Sequence, residues 1–103
     1  MIVNMKESIS FSGNRFIKAN YIIYINGKPL YAGQSRDVLK RVAKHRSMLK
    51  NRSQFATGRS IDDLDWDFSK IHACLFNIGE NLPERKELEK LIHEEIDGLF
   101  SKP

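Results

Sequence analysis

Apolar positions change their rhythm several times along the chain, and each change marks an element. The first clear run is Tyr21-Ile22-Ile23-Tyr24-Ile25, followed by Asn26-Gly27 and then Lys28-Pro29-Leu30-Tyr31-Ala32. β-Branched and aromatic residues favour strands, and Asn-Gly can occupy both positive-φ positions of a type I′ turn, so this stretch predicts a tight antiparallel hairpin. Pro29 cannot donate to a ladder, so its nitrogen should face away from the sheet.

After Gly33 the period becomes helical. Val38, Leu39, Val42, Ala43 and Leu49 share one face behind Ser35 or Asp37 as candidate N-caps, and the helix should end near Lys50. Its remaining positions, Lys40, Arg41, Lys44, His45 and Arg46, predict a basic surface. Asn51 to Ser60 is polar and predicts a loop, and Ser60 to Asp67 has room for a short capped helix. Lys70 to Phe76 has strand composition, Asn77 to Pro83 carries turn residues, and Leu88, Leu91, Ile92 and Ile96 predict a final helix from about Glu84 to Phe100. The order predicts an α+β fold: a small, mainly antiparallel three-stranded sheet flanked by helices, spanning 19–103. Residues 1–18 would form an N-terminal extension, with an edge strand through Ile9 and Phe11 as its candidate structure.

Composition narrows the function classes. A chain of 103 residues suits one domain, with no room for separate catalytic and targeting domains. No stretch is apolar enough to span a bilayer and the N-terminus lacks a secretory signal, so no membrane association and a cytoplasmic location are expected. Cys74 is the single cysteine and reads as a packed core residue, not a nucleophile. The formal charge of +4 hides an asymmetry: residues 1–60 hold 12 Lys/Arg against Glu7 and Asp37, whereas residues 61–103 hold 5 against 11 Asp/Glu. A basic front half is the footprint of a phosphate-backbone partner. His72 and His93 read as structural or exposed, Trp66 as core or interface, and Phe11 and Phe16 as packing residues before nucleic-acid contacts.

The hairpin and basic helix together resemble the GIY-YIG nuclease family, and the resemblance covers about Ala19 to Pro103. Tyr21, within Ala19-Asn20-Tyr21, is similar to the first tyrosine motif, and Tyr31-Ala32-Gly33 to the second. The family places an arginine ten residues after the second tyrosine and a histidine or tyrosine one helical turn later, positions taken here by Arg41 and His45. Its later-helix glutamate matches Glu89 in Leu88-Glu89-Lys90-Leu91-Ile92, ahead of Glu87. Ala19 and Asn20 stand where glycine and isoleucine are usual, and Ala32 where a larger aliphatic is usual. The asparagine that follows the last helix in many members has no direct counterpart, leaving Asn77 or Asn81 as candidate substitutes.

The resemblance implies a metal-dependent endonuclease that hydrolyses phosphodiester bonds in DNA with weak sequence preference. Tyr21, Tyr31, Arg41, His45 and Glu89 would be its catalytic residues. Glu89 would hold one Mg2+ or Mn2+ ion, and Tyr21, before Tyr31, would help to activate water, which requires a lowered phenolic pKa or a strong hydrogen bond. Arg41 would present its fork to phosphate, with His45 beside it on the same helix face. Gln34, Ser35, Arg36, Lys40, Lys44, Arg46, Arg52 and Arg59 are the expected nucleic-acid contacts. DNA is the expected partner with RNA left open, and a second copy or a protein partner would supply targeting. The alternative is a catalytically reduced module that binds nucleic acid or a protein on the same fold.

Overall fold

Asn26 and Gly27 adopt the positive φ values of 53° and 77° that a type I′ turn demands in the computed structural model, which describes residues 1–5, 16–51 and 70–99. The turn joins β2 (Ala19–Ile25) to β3 (Lys28–Ser35) in register from Ala19↔Ser35 to Ile25↔Lys28. The register shifts between Ile23 and Tyr24, so that Leu30 opposes no β2 residue and is buried. β4 (Ile71–Phe76) pairs antiparallel on the other side of β2. There Ile71, Ala73 and Leu75 lie opposite Ile25, Ile23 and Tyr21, and all six are buried.

The sheet has four strands among the described residues, not the expected three. The extra strand, β1 (Ile2–Asn4), pairs antiparallel with β4 and gives the order β1-β4-β2-β3. Three residues are too few to show an alternation in the sequence. What holds β1 is its flanks: Leu75 donates to the Met1 carbonyl at 2.7 Å, and Met5 is wholly buried in the core. Ile9, Phe11, Trp66, Arg52, Arg59 and the Ser60 to Asp67 stretch lie outside the described residues.

α1 (Val38–Lys50) buries Val38, Val42, His45 and Leu49 against the core, while Leu39 and Ala43 are half-buried. Asp37 occupies its N-cap position without a side-chain cap; Ser35 Oγ instead accepts from the Asp37 N–H at 3.0 Å. The expected basic surface loses one member, because His45 turns inward and only 5% of it is exposed.

The last helix is shorter than expected. α2 (Leu82–Glu95) begins earlier because Asn81 Oδ1 accepts from the Glu84 N–H at 3.0 Å, and Pro83 is tolerated in a first turn that has no use for its N–H. It ends before Phe100, with Ile96 extended and Gly98 at φ 82°. Its apolar stripe is also not what it buries: Arg85 is the buried residue, Leu88 and Ile92 are half-buried, and Leu91 is exposed. No described helix is long and apolar enough to cross a membrane.

Asn81→Ala removes the α2 cap and leaves an N-terminal donor without a partner. It should lower unfolding free energy by about 1 kcal/mol, read as a reduced urea midpoint at unchanged slope.

Candidate active site at the edge of the sheet

β3 is an edge strand, so alternate backbone groups on its outer side have no strand to pair with. α2 covers that edge with polar side chains spaced one turn apart. Arg85 Nε donates to Gln34 Oε1 at 3.1 Å, the Gln34 backbone N–H donates to the Glu89 carboxylate, and His93 Nε2 meets the Ala32 carbonyl at 3.2 Å. His93, which matched no motif, is therefore structural. Glu89 is fixed in phase by its neighbours at i−4 and i+4 and lies half-buried beside β3.

Asn20 completes the clamp from the adjacent strand. It is fully buried, its Nδ2 donates to the Arg85 carbonyl at 2.8 Å, and its Oδ1 accepts from Asn77 Nδ2 at 2.9 Å. Arg85, 4% exposed, also donates through a terminal nitrogen to the Glu80 carbonyl at 2.5 Å. Asn20, Arg85 and Asn77 were not singled out by type and spacing as a set, because their partners are backbone carbonyls and one another. Asn77 and Asn81 are both engaged in these structural contacts, with Asn81 committed to the helix cap.

On the other face of the hairpin, Tyr21 lies opposite Gly33. A Cβ at position 33 would stand 2.7 Å from Tyr21 Oη and 2.9 Å from Cζ, so only glycine leaves room for the ring. Tyr21 is 1% exposed, stacks at 6.2 Å on Tyr31, and shares a 2.9 Å hydrogen bond with His45 Nε2. The Tyr31 and His45 ring centroids are 4.2 Å apart. Arg41 and Glu89 both lie near enough to bear on the charge of the two phenols, and Arg41 on that of Glu89. Tyr21 of β2, Tyr31 of β3 and His45 of α1 thus form one cluster of rings, and Arg41 of α1 and Glu89 of α2 lie within electrostatic reach of it.

The electrostatics of these groups follow from burial. Tyr21 is pushed far above the usual 10 by loss of water, with Tyr31 adding to the effect, so its phenol stays protonated. Tyr31 is raised for the same first reason. His45 is lowered to about 4 by burial, then by Arg41 and Lys44, and is neutral near pH 7. A neutral ring can accept the Tyr21 proton at Nε2, which leaves the hydrogen on Nδ1, a buried atom with no partner among the described residues. Glu89 is raised by burial, which His93, Lys86, Arg41 and the Gln34 N–H only partly offset.

A half-buried carboxylate short of compensating charge is a fitting place for a cation. Among the described residues no three His, Cys, Asp or Glu side chains gather at one point. A divalent ion at Glu89 would therefore complete its shell from water and phosphate oxygens, an arrangement that magnesium accepts.

The expected nucleic-acid contacts divide. Arg36, Lys40 and Lys44 are exposed and, with Arg41 and Ser35, line an open cleft of about 1040 Å³. Gln34 is engaged by Arg85, and Arg46 Nε donates to the Met5 carbonyl at 2.8 Å, tying α1 to the segment after β1. Phe16 departs from the expected packing role, being 75% exposed on the cleft wall. Cys74 is half-buried on the opposite face from Ala73 and Leu75, and His72 stacks on Tyr24 at 5.2 Å. No family model matches the chain, and no curated protein or solved structure matches it.

Two outcomes follow from this geometry. Gly33→Ala should cost about 1–3 kcal/mol in urea unfolding by overpacking, and should cost much less in a Tyr21→Ala background, where the clashing ring is gone. The pH dependence has a definite sign. Between pH 6.5 and about 4 the unfolded chain carries a proton on His45 that the folded chain does not, so stability is fully present above 6.5 and falls as pH drops through that window. The loss is on the order of 3 kcal/mol, and His45→Gln should flatten the urea midpoint over the same range.

Proposed function

We propose that the chain is a metal-dependent endonuclease that hydrolyses phosphodiester bonds in DNA, using a GIY-YIG-like site. The observation that carries this reading is the gathering of Tyr21, Tyr31, Arg41, His45 and Glu89, drawn from the four elements β2, β3, α1 and α2, beside a cationic cleft. A phosphodiester needs its charge neutralised, a water activated and its leaving oxygen stabilised. Those residue types meet these needs together.

Arg41 presents a planar fork to the phosphate oxygens and lines both the catalytic cluster and the cleft. Glu89 would hold one Mg2+ or Mn2+ ion, which when bound supplies Lewis acidity beside the scissile phosphate. Exposure divides the two phenols. Tyr31 is the one that water can reach, whereas Tyr21 is enclosed and bonded to His45. We assign contact with the attacking water to Tyr31, whose phenol oxygen would accept a hydrogen bond from it, and to the Tyr21–His45 pair, on which the Tyr31 ring packs, the holding of that phenol in place. Of the two routes by which a tyrosine assists a base reaction, a lowered pKa or a strong hydrogen bond, this is the second.

Plasmid nicking with magnesium or manganese tests the proposal. The parent should nick in a metal-dependent manner, and Glu89→Ala and Arg41→Ala should each lose about 100-fold or more. Absence of metal-dependent cleavage by the parent, or equal cleavage by Glu89→Ala, refutes the catalytic assignment. If salt-sensitive DNA affinity then persists without metal, the chain is a binding module on this site.

A further inference from the structure

The cleft beside the catalytic cluster has two unlike walls. One is the α1 face bearing Lys40, Arg41 and Lys44, with Arg36 just before the helix; the other is the segment that leads into β2, with Phe16 and Lys18. Asp37 is the one carboxylate lining it among the described residues. Phe16 is 75% exposed, although sequence composition favours packing for such a residue. Nor does it stand on a loose tip. The Ile17 carbonyl accepts from the Val38 N–H at 2.9 Å and the Lys18 carbonyl from the Gly79 N–H at 2.8 Å, so the backbone beside it is tied to α1 on one side and to the turn before α2 on the other.

We propose that this cleft holds a single DNA strand, with Phe16 as a stacking platform for an unpaired base next to the phosphate that Arg41 binds. Three features point the same way. The cations are strung along one wall and would track a backbone. They form the side of a concavity, whereas a helix that reads a duplex groove presents its charged face outward into a groove about 12 Å wide. An exposed aromatic ring among cations is the arrangement that accepts any base through its π-face, and in a duplex that face is covered by neighbouring bases. The substrate class is therefore DNA with unpaired nucleotides at the cut: a free strand, a flap or a junction. This rests on reading the neighbouring cluster as a nuclease site, but its test does not depend on cleavage.

Anisotropy titrations in EDTA compare a labelled oligodeoxythymidine with a blunt duplex of equal length, for the parent and for Phe16→Leu and Phe16→Trp. The parent should prefer the single strand. Phe16→Leu keeps apolar bulk but loses the planar face and should weaken strand binding about tenfold with duplex binding within about twofold, while Phe16→Trp should restore or exceed parental strand affinity. Unchanged strand affinity in Phe16→Leu, an equal loss on the duplex, or a parental preference for duplex overturns the proposal. Because metal is absent throughout, a Phe16-dependent strand preference in a protein that never nicks would uphold this inference and sink the catalytic one. Metal-dependent nicking confined to duplex, with no effect of Phe16, would do the reverse.

Discussion

The seating of α2 along the open edge of β3 is the contact on which the rest of the site depends. It is polar. Arg85, Glu89 and His93, one turn apart, meet the Gln34 side chain, the Gln34 N–H and the Ala32 carbonyl in turn. An uncovered edge invites pairing with another chain, and covering it with a helix removes that hazard. Here the cover also delivers the glutamate. The groups that satisfy the strand's outer backbone are the same groups that fix the rotation of the helix, so Glu89 comes within electrostatic reach of the tyrosines without lying on their strands.

The opposite side of the hairpin is governed by volume. Tyr21 can lie over the strand because position 33 has no side chain, and once there its hydroxyl reaches His45 on α1. Burial then sets the chemistry of both partners. It keeps the phenol protonated and the imidazole neutral, so the two meet as hydrogen-bond donor and acceptor with no charge between them. A buried Nδ1 without a partner among the described residues has a cost, and that cost is tolerable in a core that also holds Val38, Val42 and Leu49 from the same helix.

Local signals were legible in the residues. Asn26-Gly27 specified the hairpin turn, helical spacing from Val38 to Leu49 specified α1, and the strand-type composition of Lys70 to Phe76 specified β4. Tyr21, Tyr31, Arg41, His45 and Glu89 were named through the family resemblance, since taken singly each reads as an ordinary surface or cross-strand residue. Long-range polar pairing was not legible. Nothing local distinguishes Arg85 from a surface arginine or Asn20 from a turn former, since each is defined by a partner 51 or 65 positions away. For the same reason the apolar stripe of α2 misled: helical periodicity marks which face could be buried, and here the edge of β3 selected the polar face instead. Phe16 misled in the converse direction, because an aromatic is assumed to be inside until its surroundings are known.

These two modes of assembly differ in how firmly they hold. The hairpin, β4 and α1 share an apolar core with Tyr21, Ile23, Leu49 and Leu75 wholly buried, and that core positions Tyr31, Arg41 and His45 together. Glu89 depends on a row of hydrogen bonds, each contributing about 1 kcal/mol net, with exposed leucines on the same helix adding little burial. The four residues on the hairpin and α1 thus belong to the unit with the apolar core, and the carboxylate to the element held by polar contacts. A phosphate bound at Arg41 and a cation at Glu89 would join the two units from within the site, so occupancy itself would tighten the contact between α2 and the sheet.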